Sequence, residues 1–163
     1  MFKSRNANVL CLRVFAVLIG LSAIVLLVGC DTGSSFVDDG KLNNDLIGTW
    51  LFDAGEWGID GYTITATRLT YDSDWDDYAG TIKHVTNFSN SAGVIIIEYD
   101  NNNPDGNFIG IYFQGLRPGV SVRMGVAFLS SGAEKSTLEA AIAAFTLGNE
   151  GLYMSWYGTY LRK

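Results

Sequence analysis

Gly61-Tyr62-Thr63-Ile64-Thr65-Ala66-Thr67 alternates without a break, with Tyr62, Ile64 and Ala66 on one side and three threonines on the other. Alternation with period two predicts a half-buried antiparallel strand, one face in a core and the other wet. The pattern returns downstream. Leu69 and Tyr71 oppose Arg68, Thr70 and Asp72; Val120, Val122, Met124, Val126 and Phe128 oppose Ser121, Arg123, Gly125 and Ala127. Five more stretches read as strands: Ile47–Asp53, Tyr78–Phe88, Gly93–Tyr99, Asn107–Leu116 and Leu152–Leu161, which makes eight in all.

The connections are short and carry their own turn chemistry. Pro104-Asp105-Gly106 and Arg117-Pro118-Gly119 each pair a proline set for a turn with a glycine free to take positive φ. Short links make sequence neighbours spatial neighbours, so the strands meander, and closing the sheet removes its exposed edges. The predicted fold is all-β, an antiparallel eight-stranded barrel with one short helix before the last strand. Ser136 and Glu139 fit a capping box for that helix, Leu138, Ala141, Ile142 and Phe145 share a stripe, and Gly148 is placed to close it. Val94–Ile97 and Phe108–Phe113 are apolar on both faces. Either the helix stripe covers their outer side, which its Leu/Ile/Phe face favours, or the domain meets a partner or the membrane there.

Upstream of the barrel the chain reads as an export signal. Lys3 and Arg5 lead into an apolar run from Val14 to Val28, and Gly29 precedes Cys30. The run is short for a permanent span, which needs ~20 apolar residues. Leu27-Val28-Gly29-Cys30 resembles the lipobox of bacterial lipoproteins, which implies lipidation of Cys30 and cleavage before it. The expected organisation is residues 1–29 as signal peptide, 30–45 as lipidated cysteine and polar tether, and 46–163 as the barrel domain. Such a chain is exported and anchored in the cell envelope, its membrane partnership running through acyl chains on Cys30, with inner or outer membrane left open. Cys11 leaves with the signal, so no intramolecular disulfide framework is expected. Lys3, Arg5 and Arg13 leave too, reducing 11 basic residues to 8 against 17 acidic ones, a net charge of −9. That balance disfavours nucleic acid as a partner.

Gly48-Thr49-Trp50 resembles the Gly-x-Trp opening of lipocalins and related calycin barrels. The resemblance implies that Trp50 packs across the barrel base against a basic residue near the end of the barrel. Gly158-Thr159-Tyr160-Leu161-Arg162 offers Arg162 for that role. The order of lipobox, acidic tether and Gly-Thr-Trp barrel is also similar to small spirochaete lipoproteins, a likeness that brings no established activity.

Catalytic chemistry is thinly represented. His84 is the single histidine, which excludes multi-histidine metal sites and reads as a hydrogen-bonded structural residue sharing strand parity with Ile82 and Thr86. Asp72-Ser73-Asp74-Trp75-Asp76-Asp77 starts like a calcium loop, yet Asp77 stands where an EF-hand needs glycine and Lys83 where it needs glutamate. It reads as a solvated hairpin loop. No enzyme activity, metal or cofactor is expected. Trp57, Trp75, Tyr78 and Trp156 can be read as a sugar-stacking surface, but core packing is the simpler account of Trp50 and Trp156, with Trp57 and Trp75 in or near loops.

An eight-stranded barrel is just wide enough to be filled by side chains or to hold one small ligand. The residues expected to line a ligand site are Tyr62, Ile64, Tyr71, Val122, Met124 and Phe128. The leading expectation is a small apolar ligand held in the barrel. The alternative is a solid barrel acting as a structural or interaction module for another envelope protein.

Overall fold

The computed structural model describes residues 40–53, 55–74, 76–100, 107–130, 132–154 and 157–163, with backbone alone at Trp57. The signal segment, Cys30, the first part of the tether, the Pro104-Asp105-Gly106 turn, Trp75 and Trp156 lie outside the described residues.

The eight described strands close into one antiparallel barrel in sequence order. They are β1 (Gly48–Asp53), β2 (Ile59–Ile64), β3 (Arg68–Asp72), β4 (Tyr78–Ser89), β5 (Ala92–Tyr99), β6 (Phe108–Arg117), β7 (Ser121–Val126) and β8 (Gly158–Arg162). Residues directly opposite one another share a face. Trp50 stands opposite Tyr62, Tyr62 opposite Tyr71, and Tyr71 opposite Tyr78, so one aromatic band runs along the inner wall. It is completed by Tyr160, opposite Val122.

One barrel end is plugged. The segment before β1 forms a 3-10 turn, Asn44–Leu46, capped by Asn43, whose side chain accepts from the Asp45 N–H. Leu46 is fully buried there, and its carbonyl accepts from the Trp50 indole N–H at 2.8 Å. Asn43 Nδ2 donates to Asn90 O and Asn87 Nδ2 to Lys41 O, so the plug is tied to the β4–β5 hairpin. Arg162 lies over the Trp50 ring, 4.9 Å from its centre, as the calycin resemblance implied. Above the plug, Ile64, Leu69, Val85, Ile95, Ile97, Ile111, Val122 and Met124 are at most 3 % exposed, a packed apolar interior.

The helix does cover the outer wall. α1 (Leu138–Ala144) contacts β6, and the Phe145 ring that follows it sits over Gly110. A Cβ at Gly110 would come within 2.7 Å of that ring, so glycine is what lets the helix approach. Tyr112 faces the same layer, donating its hydroxyl proton to Thr146 O at 3.2 Å. Lys135 Nζ lies over the rings of both Phe145 and Tyr153 and donates to Ala133 O. Burying a Phe side chain contributes about 1.5–3 kcal/mol. This layer explains why Val94, Ile96 and Tyr112, which face outward, are fully buried.

Several sequence-based expectations are corrected. β2 ends at Ile64, and Ala66 lies exposed in the turn, where Thr65 Oγ1 accepts from the Arg68 N–H. β7 ends at Val126; beyond it Ala127 is buried beside Gly110, and Phe128, lining the cavity with Val126, stands at the rim at 64 % exposure. Val120 lies in the preceding turn and is also exposed. The helix cap is Thr137, one residue after the predicted Ser136, its hydroxyl accepting from the Ala140 N–H. The helix ends at Ala144, well before Gly148. The last strand begins at Gly158; Leu152 and Tyr153, expected to start it, belong to a single helical turn, α2 (Glu150–Tyr153).

Candidate functional site

The end opposite the plug carries the loops after β1, β3 and β7, and between them opens a cavity of about 320 Å³. Its wall combines the aromatic band of Tyr62, Tyr71, Tyr78 and Tyr160 with Val126 and Phe128. Asp60, Ser73 and Asp76 add polar groups at the rim.

Strand register puts the phenols there. Tyr62, Tyr71 and Tyr78 occupy opposed positions on β2, β3 and β4, and their rings follow one another at 4.8 Å and 4.9 Å between centres. Tyr160 reaches the group across the barrel, edge-on to Tyr62 at 5.0 Å. Phe52 packs behind Tyr160 and Tyr99 behind Tyr78. The Tyr62 and Tyr78 hydroxyls share a hydrogen bond of 3.1 Å. Asp60 sits two positions before Tyr62 on β2, on the same face.

Burial sets the electrostatics. It pushes the Tyr62 and Tyr78 phenols far above their ordinary range; at Tyr78 the hydrogen bond with Tyr62 acts against it, while charge repulsion from other tyrosines adds at both. Tyr160 is raised first by burial and then by Tyr62 and Tyr71, while Tyr71 is raised mainly by burial. Tyr99, behind them, is pushed up to about 12, again mainly by burial. All are neutral phenols at neutral pH. The full charges on the wall are those of Asp60 and Asp76, and none of the lining residues is Lys, Arg or His.

The rim loop has an internal frame. Ser73 Oγ donates to Asp76 O and accepts from the Asp76 N–H, and the Ser73 N–H donates to Asp77 Oδ1. This hairpin geometry turns backbone and carboxylate groups toward each other. Among the described residues, no group of three or more metal-ligating side chains converges.

The six residues expected at a ligand site divide evenly. Tyr62, Tyr71 and Phe128 line the cavity, Phe128 from the exposed rim. Ile64, Val122 and Met124 lie deeper, in the packed interior, because their strands have already descended toward the plug. The alternation pattern does not single out Asp60 or Tyr160, and Tyr78 enters it only as the start of a strand or a sugar-stacking ring. Their signal was present: Asp60 shares parity with Tyr62, and Tyr160 precedes Arg162 by two on the closing strand. His84 is held on the outer wall. A register shift between Ile82 and His84 puts them opposite Ile97 and Ile96, so the expected shared parity with Ile82 is broken while that with Thr86 survives. His84 Nε2 lies 3.1 Å from Thr86 Oγ1.

The described residues therefore form a closed eight-stranded β-barrel with one plugged end and an aromatic cavity at the other. No protein-family model, curated protein or solved structure matches it.

Proposed function

We propose that the protein is a lipid-anchored envelope protein that binds a small molecule at the open end of its barrel and catalyses nothing. The observation that carries this reading is the cavity of about 320 Å³ walled by four tyrosines with Val126 and Phe128. Concave aromatic sites with a few convergent polar groups are the usual form of small-ligand pockets. A ligand there would lie against apolar ring faces and present polar atoms to the hydroxyls and carboxylates. Anchoring rests on Leu27-Val28-Gly29-Cys30 and the apolar run before it. The calycin likeness gains support from the placement of Arg162 over Trp50.

Native mass spectrometry of the full-length protein, released from membranes in mild detergent, tests the reading. An added mass that organic extraction removes, and that Tyr62→Ala abolishes, is the expected result. A bare protein that takes up none of a broad set of small molecules would overturn it. A second reading, a contact surface for another envelope protein, has Phe128 and Leu152 on its side. Both are about two-thirds exposed, and the Phe128 N–H donates to the carbonyl of Tyr153, the residue after Leu152. A stable protein partner lost in Leu152→Asp would favour it.

A further inference from the structure

We propose that the ligand class of the mouth cavity is a small organic cation, an ammonium group on an apolar or aromatic body. The inference rests on the binding reading above and adds the charge of the ligand.

The wall offers only acceptors and π-faces to a positive charge. Asp60, on the inner face of β2, and Asp76, on the β3–β4 loop, line the same cavity as Tyr71 and Tyr160. Two carboxylates on one cavity without a basic residue in its lining leave a negative potential that a cation would neutralise. The tyrosine rings add quadrupoles whose faces attract cations, and the effect strengthens as water is excluded.

Five of the eight basic side chains among the described residues are engaged away from the cavity. Arg162 covers Trp50, Arg123 lies over Tyr157, and Lys135 lies over Phe145 and Tyr153. Arg68 pairs with Asp100, and Lys83 with Glu98. The apolar part of the ligand has its own surface in Val126 and Phe128, on the side of the cavity formed by β7. A neutral sugar would use the rings and the hydroxyls but would leave both carboxylates uncompensated. An anion would be repelled.

The test is calorimetric titration of the full-length protein in neutral detergent with 2-phenylethylammonium and benzyltrimethylammonium, each compared with uncharged 2-phenylethanol. The expected result is that at least one cation binds roughly tenfold or more tighter than the alcohol, an advantage that salt screens. Asp60→Asn should shrink that advantage, and Asp76→Asn, on an exposed loop where folding is not at stake, should shrink it as well. Equal binding of alcohol and cations, unchanged in both variants, would overturn the charge assignment while leaving the pocket in place. Binding of none of the three, in a protein whose native mass spectrum is also bare, would overturn the binding reading itself.

Discussion

Arg162 and Trp50 face each other across the join of β8 and β1, with the guanidinium 4.9 Å from the centre of the indole ring. The pair ties the two ends of the described barrel together. Gly48, two residues before Trp50, has φ +139° and leaves the space the guanidinium fills; any Cβ there would overlap it. Strand closure, plug and aromatic band thus meet at one side chain.

Trp50→Ala should cost about 3–5 kcal/mol, the usual cost of truncating a large buried aromatic. Arg162→Ala, with an exposed head group, should cost about 0.5–1 kcal/mol. Denaturant melts of both variants check this order. A Trp50→Ala protein that melts like the parent would mean the plug contributes little.

Gly110→Ala is predicted to lose about 1–3 kcal/mol by driving a methyl group into the Phe145 ring. The penalty should largely vanish when Phe145 is already alanine. A double-mutant cycle measures the coupling directly. Additive penalties would show that the helix does not press on β6 at that point.

The buried phenols make stability fall at alkaline pH. Tyr99 titrates at 10.0 when free and at about 12 when folded, so the folded state holds its proton longer than the unfolded one. The contribution is fully present below pH 10.0 and is lost as pH rises through about 12. Tyr62 and Tyr78 act in the same direction and further up the scale. An ultraviolet pH titration should therefore show most phenolate appearing together with unfolding. Smooth ionisation of all tyrosines near pH 10 in a folded protein would contradict the burial described.

Cys30→Ala should abolish membrane retention or leave an unprocessed precursor. Detergent phase partitioning and the mass of the chain distinguish the two. A cleaved Cys30→Ala protein that still sediments with membranes would sink the lipoprotein proposal.

The alternating stretches around Tyr62, Tyr71 and Val122 were readable because one face of each strand is dry and the other wet, and residue type follows. Barrel closure followed from eight short strands with short links. Positions where tertiary contacts replace alternation were not readable. Phe128 continues the apolar series and lines the cavity with Val126, yet its N–H bonds to Tyr153 O in place of a strand partner, so the strand has ended and its side chain is exposed at the rim. Leu152 carries no mark that separates a strand from a helical turn; the Met154 N–H bonding to Glu150 O decides it. Ser136 and Thr137 are equally good caps by chemistry, and only the path of the chain from the Phe108–Lys135 bridge selects the second. The cavity escaped for a related reason. Its tyrosines come from four strands, and only the register brings them together.

The join itself is short. β1 pairs with β2 from Gly48 through Asp53 but meets β8 only at Trp50 and Leu51. In a cylinder with one narrow seam, thermal breathing concentrates at the seam, because fewest ladder bonds must open there. Amide hydrogens of β8 should exchange with solvent sooner than those of β5 and β6, which are enclosed by neighbours and by the helix. The molecule would then unroll as a sheet hinged far from its seam, an opening that parts Arg162 from Trp50.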